Sequence, residues 1–134
     1  MVTPDYIESG RAHSLQDKEI PPYVTIFRIH GPLLFGMTDK VAGITDDLER
    51  LAPIVIVRLR NMTAIDATGI RALEELANEL AASGRTLVLC GAREQPSAVM
   101  RAASFPQHIG ELNVCPDIES ALRRAAEIHR HAAV

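Results

Sequence analysis

Two linked stretches decide the fold: Pro53-Ile54-Val55-Ile56-Val57-Arg58-Leu59-Arg60, and Thr86-Leu87-Val88-Leu89-Cys90-Gly91 beyond it. Ile54 to Val57 is β-branched throughout and has no polar partner at alternate positions, the pattern of a central strand covered on both faces. Arg58 and Arg60 bracket Leu59 and mark where that strand leaves the core. Residues 61–66 then read as a loop. From about Ala67 to Ser83 the apolar positions Ile70, Leu73, Leu76 or Ala77, and Leu80 recur at three- and four-residue steps, one face of a helix. Gly84 fits the left-handed cap that ends it. Thr86 to Cys90 is a second buried strand, closed by Gly91. Strand, helix and strand in this order form a parallel crossover unit, which is right-handed in nearly all proteins.

On the N-terminal side, Tyr23 to Ile29 is rich in β-formers, Gly31-Pro32 punctuates, and Leu33-Leu34-Phe35 reads as a short further strand closed by Gly36. Val41, Ile44, Leu48 and Leu51 predict a helix stopped by Pro53, with Thr38 as its N-cap, Asp39 in its first turn and Arg50 near its end. On the C-terminal side, Pro96 suits the first turn of a helix to about Ala103 with Val99 facing in. Leu112 to Cys115 reads as a brief strand. Asp117 caps a last helix whose inward face is Ile118, Ala121, Leu122, Ala125 and Ile128. Residues 1–22, ending in Pro21-Pro22, read as a linker or N-terminal arm, and 23–134 as one domain. The sum is an α/β fold: a mixed, mostly parallel sheet of about five strands covered by about four helices.

Composition narrows the function. The net charge is −3 and only 4% of the 134 residues are aromatic, with no Trp. Neither a basic face nor a stacking platform is on offer to nucleic acid, so no nucleic-acid partner is expected. Residues 1–9 lack a signal-peptide pattern, and no run approaches the roughly 18 apolar residues of a membrane span. Cys90 and Cys115 are therefore expected as reduced thiols, and the Asn61-Met62-Thr63 sequon as chance.

Functional groups in α/β folds collect at the carboxyl ends of strands. The richest such loop is the one after Val57, where Asp66-Ala67-Thr68-Gly69 sets a carboxylate and a hydroxyl at a helix N-terminus. Asp66 or Thr68 can simply cap that helix. Alternatively, phosphate on Thr68 would add about −1.5 to −2 charges where free N–H groups tolerate it, switching a contact without unfolding the domain. Met37, Met62 and Ile65 lie in or beside these loops and are either an adaptable docking patch or a plug for the core. Arg58, Arg60 and Arg71 form a candidate positive rim. Gly91 and Arg93 are candidate phosphate contacts. His129 and His131 lack a third ligand, so no metal site is expected. No motif assembles nucleophile, base and oxyanion hole, so neither catalysis nor a cofactor is expected.

The segment from Val57 to Ile70 resembles the signature of STAS domains, shared by sulfate-permease (SulP) transporters and bacterial anti-sigma factor antagonists. Gly31-Pro32-Leu33-Leu34-Phe35-Gly36 resembles a segment common in the transporter branch, and Leu87 to Gly91 with Ile109-Gly110 also fits. The resemblance covers about Tyr23 to Ile128. It implies a signature loop for interaction made of Asn61, Met62, Thr63, Ala64, Ile65, Asp66, Ala67, Thr68, Gly69 and Arg71. Antagonists usually carry a phosphorylated serine at the position of Thr68; the pair Ala67-Thr68 is the transporter version. The expectation is thus a regulatory domain at the cytoplasmic face of the inner membrane, as part of a secondary active transporter of sulfate or a related anion such as bicarbonate. Its partners would be the transmembrane domain of its own chain, a cytosolic protein, or a second copy in a homodimer. The alternatives are a free-standing antagonist acting by partner switching, or a module sensing a nucleotide or small ligand.

Overall fold

A computed structural model describes residues 20–46 and 48–132. Apart from 20–22, the arm expected over residues 1–22 lies outside the described residues. The β-rich runs form β1 (Val24–Arg28), β2 (Ile54–Arg58), β3 (Thr86–Cys90) and β4 (Val114–Cys115). They lie side by side in that order and all in parallel. Each connection therefore crosses from the end of one strand back to the start of the next, and helices fill the crossings: α1 (Asp39–Ala42), α2 (Ala67–Ala82), α3 (Glu94–Ala102) and α4 (Phe105–Ile109); α5 (Ile118–Ala132) follows β4.

Alternation along the strands divides the core in two. Phe27, Val55, Val57, Leu87 and Leu89 face Leu73, Leu76 and Leu80 of α2, with Met100 and Phe105 alongside. Burying each of those leucines contributes about 1.5–3 kcal/mol. Val24, Ile26, Ile54, Ile56, Val88, Cys90 and Cys115 face the small side chains Ala121 and Ala125 of α5. Every residue of β2 is buried, as its uninterrupted apolar run predicts for a strand covered on both faces. Gly84 takes φ +79° and ends the α2 turn, as expected. Asp117 caps α5, its Oδ1 accepting from Ser120 N at 2.7 Å.

Several expectations are corrected. Four strands are described, not five. Leu33-Leu34-Phe35 forms no strand: Leu33 makes one isolated bridge to Ile65, while Phe35 stands in solvent. The helix expected from Thr38 to Leu51 is only α1, followed by 3-10 turns at Gly43–Thr45 and Leu48–Arg50. Gly43, a poor helix former, sits where α1 ends. Thr38 stands at the N-cap position but makes no side-chain cap hydrogen bond. Val41, Ile44 and Leu51 nonetheless face inward, because the 3-10 turns keep a period close to the helical one. Leu112 lies in a 3-10 turn and is 70% exposed rather than in a strand. Val99 of α3 does pack against the core, partly buried, with Pro96 and Met100 buried beside it. Arg58 does not mark an exit to solvent, for it is only 7% exposed.

Candidate functional site

The loops that leave β1 and β2 stay paired beyond the strand ends. Ile29 N donates to Arg58 O at 3.1 Å, Gly31 N to Asn61 O at 2.8 Å, Thr63 N to Gly31 O at 3.1 Å, and Leu33 N to Ala64 O at 2.8 Å. The first loop turns at Gly31 (φ +72°) and Gly36 (φ +84°), backbone that side-chain-bearing residues adopt only with strain. Three contacts then lock the two loops into one platform at the carboxyl edge of the sheet.

The first is Asp66. Its extended backbone sets it as the N-cap of α2, with Oδ1 accepting from Gly69 N at 2.9 Å. Its other oxygen, Oδ2, accepts from Phe35 N at 3.1 Å. One carboxylate thus caps a helix and clasps the Gly31–Gly36 loop. The N–H of Gly69, then those of Phe35 and Thr68, hold its carboxyl below the usual aspartate range against a smaller opposing effect of burial. With both oxygens engaged by backbone donors, Asp66 is a poor proton acceptor and no general base.

The second contact is Gln95 of α3, whose amide brackets one residue of the loop. Its Oε1 accepts from Ile65 N at 3.1 Å, and its Nε2 donates to Ile65 O at 3.2 Å. The third is the close approach of Gly69. A Cβ there would collide with the Leu33 carbonyl oxygen and come within 2.6 Å of Ile65 Cγ1. Only glycine lets α2 start against the Leu33 bridge.

The remaining sequence-predicted residues divide by burial. Met62 and Ile65 are 0% and 2% exposed, so of the two readings open for them they take the core plug. Thr63, Ala67 and Arg71 are exposed, and Asn61, Ala64 and Thr68 half-buried. It is Asp66 that caps the helix; the Thr68 hydroxyl makes no hydrogen bond among the described residues. Met37 is 44% exposed. Gly91 turns at φ +76° beside Arg60, and Arg93 Nε donates to Arg60 O at 2.6 Å, tying the loop after β3 to the loop after β2. Arg60 and Arg71 are exposed while Arg58 is not, so the three do not make one solvated rim. His129 stacks on Tyr23 with ring centroids 4.0 Å apart. Among the described residues no group of three His, Cys, Asp or Glu is placed to hold a metal ion.

Two features escaped the sequence reading. Phe35 reads as strand from its neighbours Leu33 and Leu34 but stands 82% exposed in the clasped loop; the flanking Gly31 and Gly36 are the available signal for a turn. Gln95 gave no signal at all, since its role depends on where α3 packs.

Residues 16–121 match the STAS domain family. The chain is 28% identical over 102 residues to the bicarbonate transporter BicA of Synechocystis, a match spanning 76% of this chain but only 18% of that protein. Its fold superposes on a sulfate transporter family protein of Wolinella succinogenes with a TM-score of 0.79 at 31% identity, covering 87% of this chain and 96% of that one. The STAS domain of a SulP transporter from Vibrio cholerae gives a TM-score of 0.70 at 24% identity, over 95% and 98% of the two chains. No described helix is long and apolar enough to cross a membrane. With the family match covering most of its length, the chain belongs to the STAS domain family.

Proposed function

We propose that the chain is a non-catalytic regulatory and docking domain of a SulP-type anion transporter, placed at the cytoplasmic face of the membrane. The observation that carries this reading is Phe35: a large apolar side chain, 82% exposed, on a loop clasped by Asp66 and packed against Gly69, with Gln95 bracketing Ile65 of the neighbouring loop. Rigid presentation of an aromatic side chain suits docking, because burying it on a partner costs little ordering. Similarity to BicA and to the Wolinella protein supports the transporter context, with sulfate or bicarbonate as the class of transported anion. The domain does not form the permeation path. The Phe35 face docks on the transmembrane part of the same transporter, and Met37 and Ala67 extend it.

One observation favours a second reading, the phosphorylation-controlled antagonist. Thr68 is half-buried, its hydroxyl makes no hydrogen bond among the described residues, and it follows the Asp66 clasp by two positions. Phosphate there would add like charge beside Asp66 and weaken docking at this face.

The test is a photo-crosslinking amino acid placed at Phe35 in the native protein, in cells. Adducts within a membrane polypeptide are expected. Adducts only to a soluble kinase-like partner support the second reading, and no adduct at all contradicts docking through Phe35.

A further inference from the structure

Away from the Phe35 clasp, three arginines gather at the carboxyl edge of the sheet. Arg28 and Arg58 are the last residues of β1 and β2 and are register partners. Strand alternation puts both on the face of Val24, Ile26, Ile54 and Ile56, the one α5 covers. In parallel neighbours about 4.8 Å apart, two guanidinium groups can converge on one small ligand. Arg60 follows β2 in an exposed turn, where Arg93 Nε holds its carbonyl at 2.6 Å.

Arg58 is the telling residue. It is 7% exposed, its Nη1 is buried, and that nitrogen has no hydrogen-bond partner among the described residues. A guanidinium cannot escape burial by releasing its proton, so an unpaired one carries a large desolvation cost. The neighbours add to that cost. Burial, then the charges of Arg58 and Arg60, push Arg28 below the ordinary arginine range; burial does the same to Arg58, against a smaller opposing effect of Cys90, and the charge of Arg60 adds the least. Asp117, at the start of α5, acts electrostatically on Cys90, and its Oδ1 accepts from Ser120 N.

We propose that Arg58, with Arg28 and Arg60, forms a binding site for a small oxyanion of sulfate, phosphate or bicarbonate chemistry. The planar guanidinium fork matches an oxyanion with two parallel hydrogen bonds, and an anion supplies the acceptor that Arg58 Nη1 does not find in the described chain. The position agrees with the general habit of open α/β sheets, which bind ligands outside the carboxyl ends of their strands. This inference does not rest on the transporter reading: the site binds an oxyanion whichever protein carries the domain. In a transporter it would let the domain sense the class of ion being moved.

The experiment is an NMR titration of the 134-residue chain with sodium sulfate, phosphate and bicarbonate, each replacing chloride at constant ionic strength. Site-resolved shifts are needed because sulfate stabilises folded proteins generally by exclusion from their surface. The expected result is saturable shifts at the Arg58 side-chain Nε–H and at the amides of Arg58 to Arg60 and Gly91. Loss of one charge-assisted hydrogen bond in Arg60→Ala should weaken binding about tenfold. Arg58→Gln should abolish it; if that variant does not fold, Arg60→Ala carries the test, since its side chain is exposed. The anion that saturates at the lowest concentration identifies the natural class. Shifts that do not saturate, that scatter over the surface, or that Arg60→Ala leaves unchanged overturn the proposal.

Discussion

Replacing Gly69 by alanine tests the clasp most sharply, because local and tertiary effects have opposite signs. Gly69 is the third residue of α2, where alanine would ordinarily stabilise the helix by up to about 1 kcal/mol. Here the new methyl meets the Leu33 carbonyl oxygen and lies 2.6 Å from Ile65 Cγ1. The oxygen belongs to backbone that is itself held by the Leu33 N to Ala64 O bond, so it cannot move aside alone. Overpacking of this kind costs about 1–3 kcal/mol. Displacing Leu33 also loosens a hydrogen bond worth about 1 kcal/mol and part of the burial of Leu33 and Ile65. The net expectation is a loss of roughly 2–3 kcal/mol, a fall in Tm of about 8–12 °C for a domain of this size. Urea unfolding followed by far-ultraviolet circular dichroism suits the chain, which has no Trp to report by fluorescence. Amide exchange at Phe35 should quicken as the loop is released. A Gly69→Ala variant as stable as the wild type, or more so, would refute the close approach and with it the rigid platform.

Three further outcomes are expected. The Asp66 carboxyl is held below its ordinary value, chiefly by Gly69 N–H, so its contribution to stability is fully present above the unfolded aspartate pKa and is lost as pH falls through the folded one. Asp66→Asn should therefore flatten the acid limb of stability against pH; an acid limb identical to the wild type contradicts the clasp. Thr68→Ala removes a hydroxyl with no hydrogen-bond partner among the described residues and should stay within about 0.5 kcal/mol of the wild type by thermal unfolding; a larger loss would make the hydroxyl structural. Ile56→Asp puts an unpaired charge into a strand position that is 0% exposed and should leave no folded protein by circular dichroism; a folded variant would contradict the buried central strand.

How far the sequence was legible follows the range of the forces involved. Ile54 to Val57, the stripe Ile70-Leu73-Leu76-Leu80 and Gly84 carry short-range periodicity and turn chemistry, and the structure matches them closely. Val41, Ile44 and Leu51 have the right inward period, but the period alone could not show that Gly43 breaks the helix into 3-10 turns. Phe35 looked like strand because Leu33 and Leu34 precede it; its exposure is set by Asp66, thirty-one positions away, taking its N–H. Phe105, fully buried in the short α4, has no periodic companions to announce it. Within the candidate site, Asp66 was readable as a cap from its position before a helix. The Gln95 bracket on Ile65 and the side-by-side arginines at the ends of β1 and β2 were not, since both depend on packing and register rather than on neighbouring residues.

The central claim, a docking domain within an anion transporter, is tested most directly by fractionating cells that make this protein natively and probing them with an antibody raised against the domain. The account predicts a band several-fold larger than 14.6 kDa in the membrane fraction. A soluble band at 14.6 kDa would contradict it and make partner switching through Thr68 the reading to pursue.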